Sequence, residues 1–228
     1  MSIAIDGPAG TGKSTVTQLL AKRLGYEVLD TGATYRAVAY AAIREQVPLG
    51  QEAACYELAK NISVQFDPKT REQRVLFKGE DITDHIRTPD VSKRTSDISV
   101  MPKVREVLVS LQQDVASKGH FVVEGRDITT VVLKDSRCKI YLDASPEIRT
   151  QRRLKQMQQQ GLLPAGEISN EIQKKTFDDI VARDTSDKSR KVGPLVIAPD
   201  AIVVDTGYMT TEQVVDELYR ICQLRLFL

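Results

Sequence analysis

Ser2-Ile3-Ala4-Ile5-Asp6-Gly7-Pro8-Ala9-Gly10-Thr11-Gly12-Lys13-Ser14-Thr15 is the stretch that decides the fold. Ser2 to Asp6 has the pattern of a short buried strand, and Gly7 breaks it. From Gly12 to Leu24 the apolar residues Val16, Leu19, Leu20 and Leu24 recur at helical spacing, with Gly25 as the stop. Between strand and helix, Gly7 to Ser14 is a full match to G-x-x-x-x-G-K-[ST]. Glycines let the backbone curl so that successive N–H groups converge on phosphate oxygens, and the helix N-terminus adds partial positive charge. Lys13 can reach the β- and γ-phosphates of a nucleotide, and the Ser14 hydroxyl can ligate Mg²⁺. Residues 7–15 are therefore the expected phosphate cradle.

Outward from this unit, strand and helix patterns alternate. Glu27 to Leu29 is a second strand, and Tyr35, Val38, Ala39, Ala42 and Ile43 mark one face of the helix after it. Phe121 to Glu124, Lys139 to Leu142 and Ala201 to Val204 are further short apolar runs, as a parallel sheet covered on both faces requires. The last helix opens with a capping box, Thr210 with Gln213, and carries Val214, Val215, Leu218 and Cys222 on one face. The expectation is one α/β domain over 1–228, with a doubly wound, parallel, five-stranded sheet flanked by helices. Two regions break the rhythm. ISVQF and RVLF around Asp67-Pro68-Lys69-Thr70 predict an antiparallel hairpin at 62–78, within an inserted region at 61–95. Residues 147–190 are polar, rich in Arg, Lys and Gln, and helical around the loop Gly161 to Gly166, which suits a mobile cover centred on 150–170.

The bulk composition excludes several classes. Among 228 residues, 32 Lys plus Arg balance 31 Asp plus Glu, so there is no global footprint for nucleic acid or a membrane surface. No run approaches the ~18 apolar residues of a membrane span. Cys55, Cys138 and Cys222 are scattered and lack metal-ligand spacing, which fits a reducing compartment and predicts a soluble cytoplasmic protein. His85 and His120 have no partner spacing and are expected to be structural.

P-loops serve many activities, so the rest of the site must narrow the reading. There is no hydrophobic run ending in DE and no N-K-x-D segment. The arginine-laden C-terminal half favours a small-molecule kinase, because joining two polyphosphate anions requires cations around the transferring group.

After the second strand comes Asp30-Thr31-Gly32-Ala33-Thr34-Tyr35-Arg36. With the P-loop, it resembles the bacterial cytidylate kinase family. The resemblance runs on through Pro102-Lys103-Val104-Arg105-Glu106, Glu124-Gly125-Arg126-Asp127, Tyr141-Leu142-Asp143-Ala144-Ser145, Arg183-Asp184, Asp187-Lys188-Ser189-Arg190 and Ala201-Ile202-Val203-Val204-Asp205. It implies a P-loop kinase core with a monophosphate-binding insertion and a helical lid, ATP and Mg²⁺ as cofactors, CMP and dCMP as acceptors, and a monomer. By the same resemblance, Thr31, Tyr35 and Arg36 line the acceptor side, and Arg36 and Arg126 grip its phosphate. Arg183 and Asp187 hold the ribose, while Ser96, Arg105, Asp127 and Arg190 surround the base. Arg152, Arg153 and Lys155 are candidates to reach the ATP phosphates from the lid, with Arg153 favoured. Cytosine turns an amino donor and two acceptors toward this pocket, matching Asp127 on one side and Arg105 with Ser96 on the other. Uracil would turn an oxygen and an N–H toward the same groups and leave a buried charge badly paired.

The chain departs from the family pattern at Thr129, which stands where a glycine is usual. Were φ positive there, the loop beside Asp127 would be strained. Glu124 stands where the family often has Asp, and leaves a carboxylate available to a water on Mg²⁺. Alternatives on the same core are acceptors such as AMP, UMP or shikimate. Rivals of another class are a protein that binds ATP without transferring phosphate and a nucleic-acid-directed ATPase.

Overall fold

The computed structural model describes residues 1–48 and 50–226. Five parallel strands form the core sheet: β1 (Ile3–Asp6), β2 (Glu27–Asp30), β6 (Phe121–Gly125), β7 (Lys139–Asp143) and β8 (Ile202–Asp205), in the order β2-β6-β1-β7-β8. The expected five-stranded, doubly wound sheet is thus present. β1 and β6 are buried along their whole length, because neighbours flank them and helices cover both faces.

One face carries α1 (Lys13–Leu24) and α8 (Thr211–Leu226), which pack Val16, Leu20, Val214, Leu218 and Cys222 against Ile3, Ile5 and Ile140. Gly25 ends α1 in the left-handed conformation at φ 71°, and its N–H caps Ala21 and Lys22 carbonyls. The Thr210–Gln213 capping box forms as expected, with reciprocal bonds of 2.8 and 3.2 Å. On the other face, Phe121, Val123, Ile128 and Val132 pack with Val115 and Ala116 of α5 (Pro102–Ser117).

The inserted region contains the expected hairpin, β3 (Ile62–Phe66) with β4 (Gln73–Phe77), and a short third strand β5 (Glu80–Asp81). It has its own core with α2 (Thr31–Arg44), α3 (Glu52–Ala59), α4 (Pro89–Ile98) and α5, built on Phe77, Ile82, Ile86, Ile98 and Leu108. The chain patterns named above do not mark α3, α4 or α5. α6 (Pro146–Gln159) and α7 (Asn170–Ser189) form the helical pair of the predicted cover. All three cysteines are buried and free, with Cys138 and Cys222 sulfurs 3.5 Å apart. His120 stacks on Tyr26 and His85 on Tyr40, structural roles as expected.

Candidate active site

The P-loop leaves the C-terminal end of β1, the end of a parallel sheet where α/β folds gather ligands. A Cβ at Gly7 would collide with the Leu142 carbonyl, and Gly10 has φ 84° with Arg149 packed 3.1 Å from where a Cβ would sit. Neither position accepts a side chain. Lys13 is buried at the start of α1, and its Nζ donates to the Gly7 and Pro8 carbonyls at 2.7 Å each. Burial, followed by repulsion from Arg126, lowers the Lys13 amine to about 7 despite Glu124 and Asp6 nearby. An anion arriving in the loop would restore its charge.

The loop is braced from outside by three contacts. Arg149 donates to the Ala9 carbonyl at 3.0 Å, and the Thr206 hydroxyl to the Thr11 carbonyl at 3.2 Å. Arg152 bonds both the Thr11 carbonyl and Thr206. Of the basic residues on α6, Arg149 and Arg152 therefore face the P-loop, three residues apart on one helical face. Arg153 is exposed and donates to Gln156 on its own helix at 2.9 Å. Lys155 is exposed as well.

Glu124, at the end of β6, lies against the Ser14 hydroxyl. Burial first, then the Asp30 charge, raises its carboxyl to about 6, with Lys13 pulling the other way. No cluster of three His, Cys, Asp or Glu side chains forms a metal cage among the described residues. A hydroxyl and a carboxylate beside a phosphate cradle nevertheless fit Mg²⁺, which keeps several waters and takes phosphate oxygens as ligands.

On the acceptor side, Asp30 ends β2 and caps α2, its Oδ1 accepting from Ala33 N at 3.1 Å. Its Oδ2 holds Arg36 at 2.6 Å and Arg87 at 3.4 Å. Burial pushes the Asp30 carboxyl up, but Arg36 and Arg87 outweigh it and hold it below the usual carboxylate range. The Gln73 amide clasps the Asp30 backbone, accepting from its N–H at 2.7 Å and donating to its carbonyl at 3.2 Å. That clasp fixes the inserted hairpin to the core sheet. The Thr31 hydroxyl donates to the Glu124 carbonyl at 2.8 Å and so joins α2 to β6.

Beyond β6, Arg126 Nε donates to Asp187 Oδ2 at 2.9 Å, and Arg190 holds the other oxygen of the same carboxylate. Burial, followed by the Arg126 charge, lowers Arg183 to about 10, with Arg36 and Arg190 adding to the effect and Asp187 opposing it. Four arginines, 36, 126, 183 and 190, thus converge from three elements on one locus with Asp187 among them. Such crowding is unfavourable alone and is relieved by a bound polyanion.

Next to it, Arg105 and Asp127 form a buried ion pair, and the Arg105 guanidinium lies 5.5 Å from the Tyr35 ring centroid. Burial raises the Asp127 carboxyl against the pull of Arg105 and Arg190. The Tyr35 hydroxyl is buried without a hydrogen-bond partner, and burial pushes it up to about 12. Ser96 is exposed on α4, whereas Ser99 is buried and its carbonyl accepts from Arg105 at 3.2 Å. Thr129 does not sit at positive φ, so the strain expected of a side chain there does not arise. It lies in a π-helical turn, Ile128–Val132. Sequence reading had no pattern by which to find the braces Arg149, Asp184 and Asp6, or Arg87. Their partners lie far along the chain, and although Arg149 and Asp184 both fall within the polar region 147–190, nothing local pairs them.

A parallel sheet with a P-loop at β1, an arginine cluster at its C-terminal edge and a helical pair beside the loop defines a P-loop kinase. The cytidylate kinase family profile matches residues 3–224, and the chain belongs to that family. It is 43% identical over 225 residues to the cytidylate kinase of Ligilactobacillus salivarius, covering 99% of this chain and 97% of that one. It is 46% identical to that of Pelotomaculum thermopropionicum (94% and 92% covered) and 42% identical to that of Enterococcus faecalis (100% and 97%). Among solved structures, the shikimate kinase of Bacteroides thetaiotaomicron aligns with a TM-score of 0.47 at 13% identity, covering 100% of this chain and 99% of that one.

Proposed function

We propose that this chain transfers the γ-phosphoryl group of ATP directly to the phosphate of CMP or dCMP, with the P-loop as donor site and the arginine locus as acceptor site. The observation that carries the reading is the convergence of Arg36, Arg126, Arg183 and Arg190 beside the buried Arg105–Asp127 pair. The first set suits a monophosphate next to a second anion, and the pair offers a carboxylate and a guanidinium to one base edge.

Each residue then has a task. The backbone of residues 7–15 and Lys13 hold the donor phosphates. Ser14, with Glu124 behind it, would hold Mg²⁺, which when bound neutralises charge on the donor oxygens. Arg36 and Arg126 orient the acceptor phosphate, Arg183 and Asp187 the ribose. Arg105, Asp127, Arg190 and Ser96 surround the base, with Thr31 and Tyr35 lining the same side. The acceptor oxygen is already anionic, so no side chain need remove a proton. Residues 61–95 form the monophosphate-binding insertion and 150–170 the lid. Closing the lid would exclude water and bring Arg153 toward the phosphates, while Arg152 already stands at the loop. The protein works as a cytoplasmic monomer in this reading; three free buried cysteines fit a reducing compartment. No helix among the described residues is long and apolar enough to cross a membrane.

An acceptor panel of CMP, dCMP, UMP and AMP with ATP and Mg²⁺ tests the proposal, with the parent and Asp127→Asn run together. The parent should release ADP fastest with CMP and dCMP, and the variant should lose most of its preference for CMP over UMP. Equal rates on all four acceptors, or an unchanged preference in the variant, would refute the base-reading role.

A further inference from the structure

Asp6 and Thr129 are 123 residues apart in sequence and bonded side chain to side chain in the core. Asp6 is wholly buried at the end of β1, and one turn satisfies its carboxylate three times. Ile128 N–H donates to Oδ1 at 2.8 Å, and Thr129 N–H and the Thr129 hydroxyl donate to Oδ2 at 2.8 and 2.6 Å. Any residues other than proline at 128 and 129 would supply the two backbone donors. The third needs a hydroxyl, and Thr129 is 1% exposed, so water cannot replace it.

The same turn begins at Asp127, whose carbonyl accepts Val131 and Val132 N–H at 2.9 and 3.2 Å. Asp6 lies opposite Gly125 in the β1–β6 register. Between the strand pairing at 125 and the Asp6 clamp at 128 and 129, Asp127 has almost no freedom of its own. Its carboxylate is met by Arg105 on one side, and a Cβ at Gly193 would collide with both. The backbone that presents Asp127 is thus set by Asp6 and the groups that hold it.

We propose that Thr129 is a positioning residue for acceptor recognition, whose hydroxyl locks the 128–132 turn onto Asp6 and thereby fixes Asp127 relative to the P-loop. The proposal rests on the reading that Asp127 faces the acceptor base. It predicts an asymmetry between the two substrates. The P-loop is braced separately by Arg149 on Ala9, Thr206 on Thr11 and Lys13 on Gly7 and Pro8. Loss of the Thr129 hydroxyl therefore loosens the acceptor side and leaves the donor side held.

The test is steady-state kinetics on the full chain with Thr129→Val and Thr129→Ser, varying CMP and ATP in turn. A lost bond to a buried carboxylate should raise the KM for CMP roughly tenfold in the valine variant. The KM for ATP should stay within about twofold, since the brace contacts remain. Serine restores the hydroxyl and should bring the CMP value back. A valine variant with the parent's KM for CMP, or with both KM values raised alike, overturns the proposal. If the valine variant does not fold, Thr129→Gly removes the hydroxyl without adding bulk, and its contrast with serine decides on the same criteria. Asp127→Asn is measured beside them to separate the two failures. An unchanged CMP preference there removes the base reading and this assignment with it. A lost preference there, with a parent-like valine variant, removes only the role of Thr129.

Discussion

Arg149 and Asp184 form a bidentate ion pair, with Nη1 to Oδ1 at 3.1 Å and Nη2 to Oδ2 at 2.5 Å, that joins α6 to α7. The same guanidinium donates through Nη1 to Ala9 in the P-loop and through Nε to Ala144 at 2.9 Å. One side chain therefore holds together the phosphate cradle, the end of β7 and both helices of the predicted lid. Any motion of the segment between them must hinge beyond this clamp, within residues 150–183.

Breaking that clamp from one side leaves a charge buried without its partner. Arg149→Met should destabilise the protein by about 3–5 kcal/mol. Adding Asp184→Leu to it should recover at least half of the loss, because no orphan charge then remains. Urea unfolding of the two variants and the parent is the check, and a near-neutral single variant would show that the pair carries little.

Lys13→Ala removes the only ammonium in the cradle. Turnover should fall by about two to three orders of magnitude, the scale for losing one preorganised charged donor. The circular dichroism spectrum should match the parent, since the Lys13 ammonium bonds only groups of its own loop, the Gly7 and Pro8 carbonyls and the Thr11 hydroxyl. Turnover within a few-fold of the parent would remove Lys13 from the chemistry.

Arg126→Lys keeps the charge but not the fork. Nε of Arg126 is committed to Asp187, which aims the remaining N–H groups, and an ammonium cannot serve both directions. A loss of roughly a hundredfold in kcat/KM for CMP is expected, with the melting temperature nearly unchanged. Full activity with lysine would show that Arg126 acts as a point charge alone.

Glu124 gives a pH signature in the unliganded protein. Its folded-state carboxyl is raised to about 6 from 4.5, so the native state holds the proton more tightly than the unfolded chain. The stability this confers is complete below pH 4.5 and is lost as pH rises through about 6. Against Glu124→Gln, which cannot titrate there, the parent should lose about 2 kcal/mol between acidic and neutral pH. Thermal unfolding of both across that range measures it, and a constant gap between them contradicts the burial of this charge.

The legible parts of this chain were those written in neighbouring residues. The five core strands, α1 with its Gly25 stop, the capping box at Thr210 and the hairpin at 62–78 all appear where local pattern places them. Each is set by turn chemistry or periodicity within about a dozen residues, which a linear reading can sense. The helices α3, α4 and α5 went unmarked. α4 and α5 each open on a proline; α4 packs Val91 and Ile98 into the insertion's own core, and α5 packs there and, through Val115 and Ala116, against the main sheet.

The P-loop letters and the ordered set of arginines were enough, by themselves, to define a kinase and its family. Tertiary structure alone decided which of those charges meet. Helical phase puts Arg152 rather than Arg153 against Thr11, and backbone geometry turns Thr129 from a source of strain into a donor to Asp6. Arg149 with Asp184 and Asp6 with Thr129 are joined across 35 and 123 residues. No local rule reaches so far, because such bonds form only after the sheet has brought distant segments to one edge and excluded water from between them.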